Sequence, residues 1–516
     1  MMKKILFPFM ALALTFASCD MDKEPYDSLP DGAITSPQEF EGFSNGLYSG
    51  LRSCVYSTSF SNAPDIQGDE FNAISGYSNA LSYMYMWTFN SNASEIDNVY
   101  ANCHGLISRS NYIIDRYNTC DMSNPNVFDK DGIAKVKNIK GEAFFVRAWA
   151  LSELAKFFCQ DYEETIADEE NSGVSYQIKY NPSMDESTYP ARNTLRQTYK
   201  QITDDLDSAE VYITKGGEAD SKYITADVVN ALRARVALAM DDYTTAAQIA
   251  SALADKSTYT LAKGLSDIRN MWWGHEGNGR TINDTDKESL LRIYTEYPSE
   301  VASQTGKEFQ PYMKGGIPDY VPTKDVIDLY AAKDMRTQVY FTNADVTSSA
   351  GTSGKIKILN KYKEYGAVYY SSSPSEYSRW MVMPKVFRIA EMYLIAAEAY
   401  AKLGNITEGA KYLNKFEASR IQNYKSQTFA NVDELMNEVK KERQREFIGE
   451  GVRFFDLKRW HQKTSRGIPQ QMNLCNLPGY STTTGLNINY GNNRYVWPIP
   501  QHEIDANPQI VQNPGY

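Results

Sequence analysis

The stretch from Val386 to Trp460 limits the folds open to the rest of the chain, because it must be helical and must pack on more than one side. In VFRIAEMYLIAAEAYAKLGN the residues Ile389, Met392, Ala396, Ala399 and Leu403 recur at helical spacing, which stacks them on one face. That face predicts burial. Gly404 and Asn405 tolerate the left-handed backbone that stops a helix, and a second run, TEGAKYLNKFEASR, is expected to start behind Thr407 as N-cap. Two helices joined this tightly form an antiparallel hairpin. A third run, DELMNEVKKERQREFIGEGVRFFDLKRW, reads as helix, with Glu442, Glu446, Glu450 and Asp456 interleaved with Arg443, Arg445, Arg453 and Arg459.

Helical pattern also covers Glu39 to Arg52, Glu95 to Tyr117 and Asn193 to Tyr212. In VKNIKGEAFFVRAWALSELAKFF one face runs through Val136, Ile139, Ala143, Val146, Ala150, Leu154 and Phe157. The segment ITADVVNALRARVALAMDDYTTAAQIASALADK repeats the hairpin design: Ala234 aligns with Ala397, Asp242 with Asn405 and Ala246 with Gly409. Small residues at fixed places let paired helices approach closely, so both copies read as tetratricopeptide-type units. Residues 57–92, 261–383 and those beyond Trp460 sustain no helical period and read as loop-rich, with SLLRIYTE and KIKILNKY as short strands. The prolines after Trp497 exclude a continuing helix there, so the tail must lie along a preformed surface. The expected fold class is mainly α, with tetratricopeptide-type helix pairs and long irregular regions with short strands that are the first candidates for a binding surface.

Lys3 and Lys4 precede an apolar run from Ile5 to Phe16, and Ala17 and Ser18 precede Cys19. This is a lipoprotein export signal over residues 1–18, with Cys19 as the lipidated anchor and residues 19–38 as a tether. Five other cysteines remain, without CxxC spacing, and free buried thiols are expected. The net charge of −11 and scattered Lys and Arg give no footprint for nucleic acid.

No motif for a cofactor, a metal or a catalytic triad occurs. The run NDTDKE, with Asp284, Asp286 and Glu288, lacks the glycine and distal glutamate of a calcium loop and reads as a solvated acidic turn. Glu391 and Glu398, or the series from Glu442 to Glu450, offer an acid and base pair for glycoside hydrolysis. Glutamates spaced among arginines on helices form ion-pair networks instead, and that is the expectation here.

The remaining chemical signal is aromatic. Sugar rings stack their C–H faces on Trp and Tyr, while their hydroxyls need amides, carboxylates and guanidiniums in place of water. One set holds Asp69, Asn72, Tyr77, Trp87 and, more widely, Tyr83, Tyr85 and Asn90; the other holds Trp272, Trp273, Tyr297 and, more widely, Arg280 and Tyr294. Tyr83 and Tyr85, two apart, also fit a half-buried strand.

Cys19, GEAFFVRAWALSELAKFF, FRIAEMYLIAAEAYAKLGN, ERQREFIGEGVRFFDLKRW and the ending PIPQHEIDANPQIVQNPGY together resemble the SusD/RagB family of Bacteroidetes outer-membrane nutrient-binding lipoproteins. DMDKEP behind Cys19 resembles the surface-export signal of such lipoproteins. The resemblance implies an N-terminal SusD-like region over 39–260, with helical repeats, and a C-terminal RagB/SusD region over 261–516. It implies a cell-surface protein that lies as a lid on a SusC-like TonB-dependent transporter, captures glycans or, in some members, peptides, and catalyses nothing. Tyr100 and His104 stand where the family often carries Trp and Tyr. The rival readings are a surface glycoside hydrolase and a purely structural tetratricopeptide adaptor.

Overall fold

The computed structural model describes residues 35–273, 286–293, 309, 318–348, 351–362, 384–476 and 486–516. Cys19 therefore lies outside the described residues, as do Arg280, Asp284, Tyr294 and Tyr297.

The chain enters through α1 (Pro37–Val55), capped by the Ser36 side chain, which accepts from the Glu39 N–H. Next come α2 (Thr58–Gln67), β1 (Phe71–Ile74), α3 (Ser82–Met86) and α4 (Ser94–Thr119). The long α5 (Lys130–Phe158) packs against α1, α4 and α6 (Leu195–Tyr212). All seven residues of its expected face, from Val136 to Phe157, are buried. A helix pair follows, α7 (Ala226–Ala239) and α8 (Tyr243–Ala254), and then α9 (Gly264–Trp273).

Short elements occupy the middle of the chain: β2 (Ser289–Arg292), β3 (Tyr320–Pro322), α10 (Lys324–Asp328), α11 (Thr337–Tyr340), β4 (Phe341–Thr347), β5 (Ser353–Leu359) and β6 (Lys385–Arg388). The second helix pair is α12 (Ile389–Lys402) and α13 (Ile406–Arg420), with α12 packed on α8 and on α14 (Val432–Phe447). After α15 (Arg453–Arg459) come β7 (Thr464–Ser465), β8 (Cys475–Asn476), β9 (Asn487–Ile488) and α16 (Gln501–Ala506). The sheets are small and antiparallel. β1 pairs with β3 and β8, β2 with β6, β4 with β5, and β7 with β9.

The interleaved acids and arginines of the third run become a buried ion cluster. Glu446, with no exposed surface, accepts from Arg388 at 2.7 Å, from Arg420 at 3.1 Å through both oxygens, and from Arg336 at 3.1 Å. Arg336 also reaches Glu442 at 2.6 Å and Asp334 at 2.7 Å. Burial pushes the Glu446 carboxyl up, but the Arg420, Arg388 and Arg336 guanidiniums outweigh it and hold the group well below the usual range. One run is two helices. Gly449 (φ +76°) and Gly451 (φ +73°) adopt left-handed backbone between α14 and α15, where a Cβ at Gly451 would stand 2.8 Å from the Ser61 carbonyl oxygen. That turn lets Glu450 meet Lys361 at 2.5 Å and Arg388 at 2.6 Å.

Other expectations shift. Leu403, placed on the apolar face of α12, is 47% exposed because it caps the helix at the last turn. The N-cap of α13 is Asn405, whose side chain accepts from the Glu408 N–H, so Thr407 lies inside the helix. The described part of the acidic turn, from Asp286, is not solvated: Asp286 accepts from the Glu288 and Ser289 N–H groups and pairs with Lys385 at 2.8 Å, while Glu288 pairs with Arg420 at 2.9 Å. Residues 57–92, read as surface loop, hold α2, whose residues from Ser59 to Gln67 are buried. The five cysteines other than Cys19 are free, and Cys54, Cys103 and Cys159 are buried. Trp497 in the tail is fully buried and donates to Gln67 Oε1 at 2.8 Å, so the tail lies along α2.

One buried carboxyl predicts a pH effect. Glu142 in α5 accepts from Ser44 and Asn138, both at 2.9 Å, yet burial pushes its pKa up to about 7. A raised carboxyl favours the folded state fully below the unfolded value near 4.5, and that share is lost as pH rises to about 7. Glu142→Gln should flatten stability between pH 5 and 7.5, removing a decline of order 3 kcal/mol in urea unfolding. An unchanged pH slope would contradict this assignment.

Candidate functional site

The turn between β1 and α4 brings the first aromatic set together, and it is built on unusual backbone. Asn79 (φ 66°), Leu81 (φ 54°) and Trp87 (φ 56°) all lie in the left-handed region, which costs about 1–2 kcal/mol for a residue with a bulky side chain. Packing overrides that cost. Leu81 and Trp87 are buried; the Trp87 indole N–H donates to the Gln67 carbonyl at 2.8 Å, and its ring meets Tyr495 and Phe454 edge-on at 5.1 and 5.9 Å. The loop before α3 is tied as firmly. The Ser78 N–H and hydroxyl donate to Asp319 at 2.6 and 2.7 Å, the Tyr320 hydroxyl donates to the Ala80 carbonyl at 2.6 Å, and Tyr77 donates to Ser82 at 2.9 Å.

The consequence is one ring held outward. Tyr83 is 62% exposed while Tyr85 is buried beneath the Arg466 guanidinium, 3.9 Å from its ring centre. Burial pushes the Tyr85 and Tyr320 phenols up, so both stay neutral. Exposed Ser78, Asn79, Thr88 and Asn90 share the segment with Tyr83. This surface offers a ring face, amides and hydroxyls.

The other residues of the first set support this turn from behind. Asp69 accepts from the Arg453 guanidinium through both oxygens at 2.8 Å, and Asn72, fully buried in β1, donates to the Gly467 carbonyl at 3.3 Å. Tyr77 packs edge-on against Tyr320 at 5.6 Å. Asp69, Asn72, Tyr77 and Trp87 are thus wall residues and not face residues, because Asp69 and Trp87 are hydrogen-bonded inside the protein, Asn72 is fully buried and Tyr77 packs against Tyr320. Tyr83 was readable differently: two residues apart on a helix means about 200° apart, so Tyr83 and Tyr85 cannot both face inward.

In the second set, Trp272 is buried at the end of α9 against Tyr362 and Tyr340, with the Lys361 ammonium 4.4 Å from its ring centre. Trp273 is half-buried and donates its indole N–H to the Asn360 carbonyl at 2.8 Å. The carboxylates weighed for hydrolysis are engaged. Glu391 takes a two-pronged pair from Arg235 at 2.9 and 2.7 Å, and Glu398 takes Arg459 together with the Trp460 indole N–H. Burial raises both carboxyls and the paired arginines outweigh it, so both titrate below the usual range.

Comparison with known proteins gives consistent likenesses. Residues 283–516 match the SusD family, and residues 21–238 match a family described as starch-binding associating with outer membrane. A SusD-like protein of Formosa agariphila is 22% identical over all of both chains, and a second from the same organism is 21% identical over 73% of each. A SusD superfamily crystal structure from Bacteroides thetaiotaomicron superposes with a TM-score of 0.72 at 23% identity, covering 93% of this chain and 100% of that one. A putative sugar binding protein from Bacteroides vulgatus superposes with a TM-score of 0.72 at 22% identity, covering 94% and 99%.

Proposed function

The chain belongs to the SusD family, and on that premise we propose that it is a surface glycan-binding lipoprotein, anchored through Cys19, that captures oligosaccharide and hands it to a SusC-like TonB-dependent transporter. The observation that carries the glycan reading is Tyr83, a tyrosine ring held 62% exposed on a turn anchored by the buried Leu81, Tyr85 and Trp87 and set among exposed amides and hydroxyls. Strained backbone that packing over-determines is a feature of ligand sites. The matched family is described as starch-binding and a similar structure as a putative sugar binding protein, which supports the same ligand class.

In this reading Tyr83 is the stacking platform, and Asn79 and Asn90 supply hydrogen bonds. Asp69, Asn72, Tyr77 and Trp87 fix the turn, and Trp272, Trp273 and Tyr297 belong to the second region. The tetratricopeptide designation of the α7–α8 and α12–α13 pairs is part of the proposal, and so are the transporter interface and the absence of catalysis. Affinity electrophoresis of the purified protein in a panel of polysaccharides, beside titration with peptide mixtures, tests it. Retardation by at least one polysaccharide, with no release of reducing sugar, is the expected result. Binding of peptides alone supports the peptide-capturing alternative, and release of reducing sugar supports the hydrolase.

A further inference from the structure

A cavity of about 250 Å³ lies inside the helical body, between α5 and α7 on one side and α14 and α15 on the other. No residue of the Tyr83 turn lines it. Its wall is rich in donors and short of acceptors. Trp149, Trp272 and Arg443 are all more than nine-tenths buried, and among the described residues the two indole N–H groups and Arg443 Nη1 meet no acceptor. Arg443 commits its other two nitrogens to Asp456 at 2.7 and 2.9 Å. Lys458, 3% exposed, donates only to the Lys156 and Cys159 carbonyls, at 2.9 and 2.6 Å, among the described residues. Seven Lys and Arg and five Asp and Glu line the wall; each of those carboxylates has a partner within the protein, and every one of the cations but Lys458 is ion-paired among the described residues, Lys385 with Asp286, Arg388 with Glu446 and Arg459 with Glu398 behind the wall.

A buried donor without an acceptor carries an uncompensated desolvation cost, so three on residues of one cavity, beside the Lys458 ammonium that pairs with no carboxylate among the described residues, describe the complement of a missing acceptor oxygen, which a carboxylate supplies best. The same wall carries the rings of Trp149, Phe455 and Tyr199, which suit C–H faces. We propose that this cavity binds a sugar acid, its carboxylate received by the Arg443 and indole N–H groups and its ring lying against the aromatic wall. The site is separate from the Tyr83 surface, and its occupancy does not depend on the surface reading.

Titration of the purified protein with glucuronate, with glucose as the neutral control, tests this by calorimetry. Saturable binding of glucuronate without binding of glucose is expected. Trp149→Phe and Trp272→Phe each keep an aromatic ring and remove one donor, so at least one should weaken glucuronate binding about tenfold or more, the loss of one hydrogen bond to a charged group. Melting temperature confirms that both variants are folded, and Tyr83→Ala should bind glucuronate unchanged. Absence of saturable binding, equal binding of glucose, or wild-type affinity in both folded tryptophan variants overturns the proposal and leaves the cavity to ordered water. Loss of polysaccharide binding in Tyr83→Ala with glucuronate binding intact separates this site from the surface one.

Discussion

Glu446→Ala is expected to lose about 3–5 kcal/mol of stability, the usual result of removing one partner from a buried ion cluster. Three guanidiniums converge on that carboxylate, from β6, from α13 and from the residue preceding α11, and none of them has exposed surface above 2%. Without it, Arg336, Arg388 and Arg420 retain Asp334, Glu442, Glu450 and Glu288 but lose their shared acceptor at the centre. Glu446→Gln keeps the volume and removes the charge, and should retain most of the loss. Because the pairing holds the Glu446 carboxyl well below its ordinary value, the contribution is present above pH 4.5 and is lost only as pH falls through the low folded value. As a control, Glu41→Ala breaks the Lys135 pair, half-exposed on both sides, and should change stability by less than about 1 kcal/mol in the same denaturant series.

Trp87→Ala and Tyr83→Ala should separate scaffold from surface although they lie four residues apart. Trp87 is 4% exposed, anchors the turn through its indole N–H and packs edge-on against the stacked rings of Phe454 and Tyr495. Its truncation leaves a cavity and an unpartnered Gln67 carbonyl, a loss of about 3–5 kcal/mol. Tyr83 touches little, so its truncation should shift stability by no more than about 0.5 kcal/mol. Equal destabilisation by both substitutions would mean that Tyr83 is packed, and the platform would be lost with it.

Much of the helical body was legible because burial imposes a period that survives in sequence. The face of α5 from Val136 to Phe157 and the stop at Gly404 both follow that rule. Leu403 was misplaced because position on a helical face says nothing about how far the partner helix extends. The break between α14 and α15 was written in Gly449 and Gly451, but a glycine inside a charged helical run carries its φ only once its neighbours are known. Residues 57–92 misled for a different reason. Asn62, Asp65 and Gln67 are polar yet fully buried, since α2 meets the tail and the loop after α14 through long-range hydrogen bonds that composition cannot register. In the candidate site the residue types were right for sugar, but which ring faced out was decided by two left-handed residues, Leu81 and Trp87, whose conformation no local propensity favours.

The claim that an exposed ring on a rigid helical body captures glycan is tested most directly by affinity electrophoresis of wild-type protein and Tyr83→Ala side by side, in whichever polysaccharide retards the wild type. The account predicts a loss of at least tenfold in affinity, about 1.4 kcal/mol, with an unchanged unfolding midpoint. Equal retardation of the two folded proteins would contradict it.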